Sequence, residues 1–227
     1  MLSARKKASG DRAILWDNDG VLVDTEKVFF EANRRELETL GVEACWADFE
    51  EISLRRGESL LSLSGLHGDD LRALFGRRDS LYSELLTTEE IAIEGMGELL
   101  GRLESLFRMG IVTSSHREQF EIIHARSGFL RYFEFQVVRE DYPLSKPHPD
   151  GYLAGIDRIG LPPSRCLAVE DSPRGVAAAK AAGLQVVLFT PGDVGSEREV
   201  GKVLARVENT VELEEALHNW AGLPAPH

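Results

Sequence analysis

Short apolar runs and longer amphipathic stretches follow one another along most of the chain. The run AILW at residues 13–16 is apolar throughout and polar turn residues follow it, which predicts a buried strand ending at Asp17. Later apolar runs predict strands at 110–115, 133–138, 165–171 and 184–190. Amphipathic stretches predict helices at 97–107, 116–127, 148–160, 174–183 and 210–223. This alternation is typical of an α/β fold with a parallel sheet covered on both faces.

The block from about residue 25 to 88 has a different pattern, with amphipathic stretches and no convincing strand. Residues 26–41 predict a helix closed by Gly41, and residues 69–86 predict one or two more. We therefore expect a helical insertion after the first strand. The expected organisation is a flexible tail at 1–10, an α/β core made of 11–24 and 95–227, and an α-helical insertion at 25–94.

Composition narrows the possible partners and compartments. The chain has 227 residues and a formal net charge of -12, which disfavours binding to nucleic acid or to anionic membranes. There is no targeting signal and no apolar stretch long enough to span a bilayer. Cys45 and Cys166 are far apart and suit a reducing cytoplasm, so a cytoplasmic protein is expected. A monomer or a homodimer is the ordinary expectation for its oligomeric state.

The predicted strand ends carry carboxylates, hydroxyls and one amine. In open parallel sheets ligands bind outside the carboxyl ends of the strands, so these groups are expected at one edge. In chain order they are Asp17 and Asp19, then Thr113, Ser114 and Ser115, then Lys146 in the loop SKPHPD, then Glu170 and Asp171.

This set of residue types indicates phosphate chemistry. Clustered carboxylates need a divalent cation, and ligands that are all oxygen favour Mg²⁺, which in turn favours phosphorylated substrates. Thr113 can donate a hydrogen bond to a phosphoryl oxygen, and Lys146 supplies a positive charge for it. A carboxylate such as Asp17 can attack phosphorus, and an acid two residues along can protonate the leaving oxygen.

Each segment alone also has an ordinary structural explanation. Residues 17–20 can form a polar turn, and residues 113–115 can cap the next helix. Glu170 and Asp171 can end a strand before a helix cap, and Lys146 can be a solvated loop cation. The order of all four segments together favours the phosphate site.

Four motifs resemble those of the haloacid dehalogenase superfamily. DNDGVLVDTE is similar to its first motif, IVTSS to its second, KPHPD to its third and LAVEDSPRGVAAAKAAG to its fourth. The resemblance covers nearly the whole chain. The helical block after Asp24 resembles the small cap of the β-phosphoglucomutase and phosphoglycolate-phosphatase subgroup. This implies a Rossmann-like core, a helical cap at 25–94 and Mg²⁺ as cofactor.

The resemblance also implies roles for the acidic residues. Asp17 corresponds to the nucleophile and a metal ligand. Asp19 corresponds to the general acid and base, with its backbone carbonyl on the metal. Asp171 corresponds to a direct Mg²⁺ ligand, and Glu170 to a ligand directly or through water.

The phosphate-binding roles fall on other residues. Thr113 and Lys146 correspond to the groups that hold the phosphoryl group, and Ser114 is expected to offer its backbone N–H. Arg56, in the segment LRRGESL, resembles the cap arginine that grips a second anionic group in the mutases. A solvated arginine at a helix end is the alternative for Arg56.

The activity expected is a Mg²⁺-dependent phosphatase of small phosphorylated metabolites, acting through an aspartyl phosphate. Dehalogenases of this superfamily lack the second aspartate, whereas Asp19 is present here. Phosphonatases use a cap lysine, and no lysine lies between Lys27 and Lys146. A hexose-phosphate mutase remains the alternative, although Phe29 stands where the mutases carry a histidine. A non-catalytic phosphate-binding protein is a further alternative, but it would be expected to have lost a motif residue.

Overall fold

A computed structural model describes residues 10–88, 91–191 and 200–226, with only the backbone described for Arg55. The tail expected at 1–10 therefore lies, apart from Gly10, outside the described residues. The chain forms two compact units. The first combines the described residues up to Val23 with those from Ala92 onward, and the second is Asp24–Ile91.

The first unit contains a six-stranded parallel sheet, which confirms the expected fold class. Its strands are β1 Ala13–Trp16, β2 Arg108–Val112, β3 Phe135–Val137, β4 Cys166–Glu170, β5 Gln185–Phe189 and β6 Ala205–Val207. Their order across the sheet is β3-β2-β1-β4-β5-β6, so β1 lies between β2 and β4. This order brings the carboxyl ends of β1, β2 and β4 together.

Helices follow strands in the first unit, and the second unit is built from helices. Within the described residues the α-helices are α1 Glu26–Glu38, α2 Trp46–Phe49, α3 Gly68–Thr88, α4 Met96–Leu103, α5 Arg117–Ser127, α6 Asp150–Ile159, α7 Pro173–Ala181 and α8 Thr210–Ala221. None of these described helices combines the length and apolar character needed to cross a bilayer.

Strand β1 is apolar because both of its faces are covered. Leu15 packs in a cluster with Tyr152 of α6 and Val176 of α7. Side chains alternate along a strand, so Ile14 and Trp16 point to the opposite face. They are also fully buried. A continuous apolar run is the pattern of a strand enclosed on both faces of a parallel sheet.

The second unit, Asp24–Ile91, is helical, and its described residues contain no strand. Helices α1 and α3 pack against each other. A π-helical segment, Glu50–Arg55, and a 3-10 segment, Leu60–Ser64, connect α2 to the rest. The apolar centre of this unit consists of Leu37, Phe49, Leu60, Leu61 and Leu74.

Some element positions differ from the prediction. The second strand was expected at 110–115 but is β2 Arg108–Val112. Its first residue, Arg108, is half-buried and pairs with Glu134. Because this residue is charged, the apolar pattern does not show where the strand begins. The backbone turns after Thr113, where Ser115 N–H donates to Thr113 Oγ1 at 3.0 Å. Strand β6 has three residues and no apolar run, and the prediction missed it.

Candidate active site

A buried lysine joins two of the predicted carboxylates at the carboxyl edge of the sheet. Asp17 follows β1 directly and Glu170 is the last residue of β4. Lys146 Nζ lies 2.7 Å from Asp17 Oδ1 and 2.6 Å from Glu170 Oε1. Lys146 and Asp17 are each 7% exposed, and Glu170 is fully enclosed. The three groups therefore interact in a region from which water is largely excluded.

Backbone hydrogen bonds place these side chains. Asp17 N–H donates to Val169 O at 2.9 Å and so extends the pairing of β1 with β4 by one residue. Thr113 N–H donates to Val137 O at 2.9 Å and extends the pairing of β2 with β3 in the same way. Lys146 Nζ also donates to Val112 O at 3.2 Å, which holds the lysine against the end of β2.

Asp19 lies beside the residues that follow β2. Its Oδ2 accepts a hydrogen bond from Ser115 Oγ at 2.5 Å and a longer one from Thr113 Oγ1 at 3.4 Å. Thr113 is buried, and Ser114 is exposed. The contact from Ser115 was not predicted, because the sequence identifies the hydroxyl cluster and does not show which hydroxyl faces Asp19.

A group of three carboxylates can hold a metal ion. Asp17, Glu170 and Asp171 each offer an oxygen, and these atoms lie within 4.8 Å of one another. Ligands that are all oxygen suit Mg²⁺. Gly20 makes room for this arrangement, because a Cβ at that position would lie 2.1 Å from Asp171 Oδ2. The residues present therefore fit a divalent cation, although the carboxylate of Asp19 lies outside this group of three.

Burial controls the charge of Asp17. Desolvation, together with the nearby Glu170, raises the pKa of Asp17 to about 8, against an opposing effect of Lys146. Desolvation lowers the pKa of Lys146, but Asp17 and Glu170 raise it by more, so the lysine stays charged. Additional positive charge near Asp17 would favour its ionised, nucleophilic form.

Glu170 is held from the side of α6 and α7. Tyr152 OH donates to Glu170 Oε1 at 2.7 Å, and a Cβ at Gly175 would lie 1.9 Å from Glu170 Oε2. Burial and the neighbouring carboxylates raise the pKa of Tyr152, so the phenol remains a donor. The prediction missed Tyr152, whose only signal is its position shortly after the KPHPD motif.

His124 is a second buried group that the prediction did not assign to the site. It lies on α5, and its Nε2 is 2.7 Å from Oδ1 of the fully buried Asn18. Asn18 Nδ2 in turn lies 3.3 Å from Asp19 Oδ2. The sequence does not single out His124 among the histidines. His116 and His148 directly follow motif residues, but both are exposed.

Arg56 belongs to the second unit, apart from the residues above. Its guanidinium is exposed and pairs with Glu51 Oε1 at 2.8 Å. In the same unit Phe29 packs edge-on against Tyr82, and the guanidinium of the buried Arg78 lies 4.5 Å from the centre of the Phe29 ring. The anion-binding role of Arg56 remains a prediction.

Comparison with known proteins identifies relatives of this chain in sequence and in fold. The phosphorylated carbohydrates phosphatase of Thermotoga maritima is 32% identical over 183 residues, covering 76% of this chain and 82% of that protein. Protein CbbY of Rhodobacter capsulatus is 30% identical over 201 residues, covering 80% of this chain and 88% of that protein. The crystal structure of β-phosphoglucomutase from Clostridium difficile has the same fold, with a TM-score of 0.75 at 19% identity, covering 93% of this chain and 97% of that one. Residues 12–183 match the haloacid dehalogenase-like hydrolases, and the chain belongs to that family.

Proposed function

We propose that the protein is a Mg²⁺-dependent phosphatase of small phosphorylated metabolites, such as sugar phosphates, acting through an aspartyl phosphate on Asp17. The observation that carries this proposal is the buried contact of Asp17 with Lys146, next to Asp171 and Thr113 at one sheet edge. The resemblance to a phosphatase of phosphorylated carbohydrates supports the substrate class.

In the first step, an Asp17 oxygen forms a bond to phosphorus as the bond from phosphorus to the leaving oxygen breaks. Asp19 donates its proton to that leaving oxygen. In the second step, water attacks the phosphorus and gives a proton to Asp19, and the bond from Asp17 to phosphorus breaks. Inorganic phosphate leaves, and both aspartates return to their starting states.

Other groups of the chain bind the phosphoryl oxygens. In this proposal Thr113 Oγ1 and the backbone N–H of Ser114 donate hydrogen bonds to the phosphoryl oxygens, and Lys146 supplies positive charge. Asp17 and Asp171, with Glu170 beside them, would hold Mg²⁺. When bound, the ion supplies positive charge that offsets the repulsion between these carboxylates and an incoming phosphate.

A mutase would need a further acid and base for a second phosphoryl transfer. The side chain of Phe29 cannot act as an acid or a base, and its presence at this position favours a phosphatase over a mutase. In the second unit, Arg56 would contact an anionic part of the substrate once its pairing with Glu51 is released.

The test is phosphate release from a panel of sugar and polyol phosphates, with Mg²⁺ or with EDTA. Asp17→Asn should keep the fold and lose release, whereas Asp157→Asn, on the exposed side of α6, should keep both. β-Glucose 1-phosphate belongs in the panel, with glucose 6-phosphate monitored. Formation of glucose 6-phosphate without release of inorganic phosphate would identify a mutase. Metal-dependent release by Asp17→Asn would rule out the proposed nucleophile, and silence on every compound would favour a non-catalytic role.

A further inference from the structure

A chain of hydrogen bonds, buried at its centre, runs from the end of α5 to Asp19. Ser127 Oγ lies 2.9 Å from His124 Nδ1, and His124 Nε2 lies 2.7 Å from Asn18 Oδ1. The other end of the same amide, Asn18 Nδ2, lies 3.3 Å from Asp19 Oδ2. His124 is 5% exposed and Asn18 is fully enclosed, so water is excluded from the contact between them, whereas Ser127 and Asp19 at the two ends are half-buried.

The partners determine which nitrogen of His124 carries the proton. The amide oxygen of Asn18 can only accept, so Nε2 must be the donor. Nδ1 then accepts from the Ser127 hydroxyl, whose oxygen accepts the Phe129 N–H at 3.1 Å. Burial lowers the pKa of His124 to about 4, against an opposing effect of Asp19, so the imidazole is neutral near neutral pH.

Asn18 holds the surrounding turn by a separate set of contacts. Its backbone carbonyl accepts the N–H of Leu22 at 2.8 Å, and those of Val21 and Val23 at 3.2 Å each. The turn after β1 is therefore closed without His124. Loss of the imidazole would release the Asn18 amide, which is one of the groups that orient Asp19, while leaving that backbone in place.

We propose that His124 is a positioning residue for Asp19, which it orients through the side-chain amide of Asn18. This inference rests on the proposed function, in which Asp19 gives a proton to the leaving oxygen. Asp19 Oδ2 accepts hydrogen bonds from Ser115 Oγ and Asn18 Nδ2, and a longer one from Thr113 Oγ1. Such a proton transfer needs the carboxyl group within hydrogen-bond reach of the leaving oxygen, so its orientation affects the rate directly.

Leaving-group dependence separates positioning from a structural effect. A sugar or polyol phosphate has a poor leaving group that needs the proton, whereas p-nitrophenyl phosphate releases a stable phenolate that does not. We expect His124→Phe to lower kcat/KM for the wild type's best sugar or polyol phosphate by about tenfold or more. For p-nitrophenyl phosphate the change should stay within about threefold. His124→Gln, whose amide can donate from nearly the same place, should recover much of the loss.

Ile123→Ala is the matched control, because Ile123 is a buried neighbour on α5 outside the hydrogen-bond chain. It should lower stability and change kcat/KM for both substrates by the same factor. Equal losses on both substrates in His124→Phe would overturn the positioning role. So would full additivity of His124→Phe with Asn18→Leu, since residues acting through one another are not additive.

A second measurement does not depend on turnover. Nitrogen chemical shifts of His124 in the wild-type protein should report the neutral tautomer protonated at Nε2, with a slowly exchanging proton that exchanges faster in Asn18→Leu. A tautomer protonated at Nδ1 would refute the proposal even in an active enzyme. If the wild type releases phosphate from neither substrate, the proposed function fails and the role of His124 in catalysis fails with it. An active wild type with an unaffected His124→Phe refutes only the positioning role.

Discussion

Replacement of Lys146 by methionine tests the charge arrangement at the sheet edge. The ammonium lies 2.7 Å from Asp17 and 2.6 Å from Glu170. At an effective dielectric constant of about 20, each contact corresponds to about 6 kcal/mol of Coulomb attraction before desolvation is subtracted. Removing one partner of a buried ion pair costs about 3–5 kcal/mol net, because the remaining charge stays buried without compensation. Domains are stable by only about 5–15 kcal/mol, so the variant should be close to unfolding.

The assay is urea denaturation in EDTA at pH 8 and at pH 5, followed by circular dichroism. The loss in the free energy of unfolding should be largest at pH 8. It should shrink at pH 5, below the raised pKa of Asp17, because Asp17 is then protonated in both proteins and only the attraction of Lys146 to Glu170 is lost. Lys180→Met is the control, since Lys180 Nζ contacts only a backbone oxygen among its described partners, Val200 O at 2.9 Å, and should cost about 1 kcal/mol. Equal losses in the two variants, or a loss from Lys146→Met that does not depend on pH, would refute the reasoning.

Three further predictions concern the same edge. Because the pKa of Asp17 is raised from 3.8 to about 8, the folded state binds this proton more tightly than the unfolded state, and stability falls as pH rises between these two values. The Tm in EDTA should therefore fall from about pH 5 to about pH 8 and level off above about pH 9, Mg²⁺ should restore it at pH 8, and a Tm in EDTA that rises from pH 5 to pH 8 would contradict this. Gly20→Ala should raise the Mg²⁺ concentration needed for half-maximal activity, because the added Cβ would collide with Asp171. Gly41→Ala is the control and should leave that concentration unchanged, because Gly41 has a similar φ and an added Cβ there would have no neighbour within 4 Å. Tyr152→Phe should lower the free energy of unfolding by about 1–2 kcal/mol in urea denaturation by removing the hydrogen bond to Glu170, and an unchanged value would show that this bond adds nothing.

The residues directly after strands could be predicted from the sequence. Asp17 and Thr113 each follow an enclosed apolar run, and parallel strands place their carboxyl ends together. Glu170 could be found in the same way, because it ends such a run. Lys146 was found through its motif, and the structure places its amine at the end of β2.

Groups that reach the edge from helices could not be predicted. Tyr152 and His124 act through the packing of α6 and α5, and a helical pattern shows that a position is buried without showing what it contacts. Ser115 contacts Asp19 because the backbone turns after Thr113, and no local pattern of apolar residues encodes that turn. Strand β6 was missed for a similar reason, since three residues with one buried side chain are too few to show an alternation of apolar and polar positions.

The position of β1 inside the sheet has a consequence for synthesis of the protein. β1 pairs on one side with β2, which is made only after the helical unit, and on the other with β4, which is made later still. Such pairing between distant parts of a chain is slow to form, because a long loop must close first. An emerging chain therefore carries AILW without at least one of its two neighbours until residues 166–170 leave the ribosome. Until then this apolar segment is open to self-association or to chaperones, and Asp17 lacks Glu170 and Asp171 beside it.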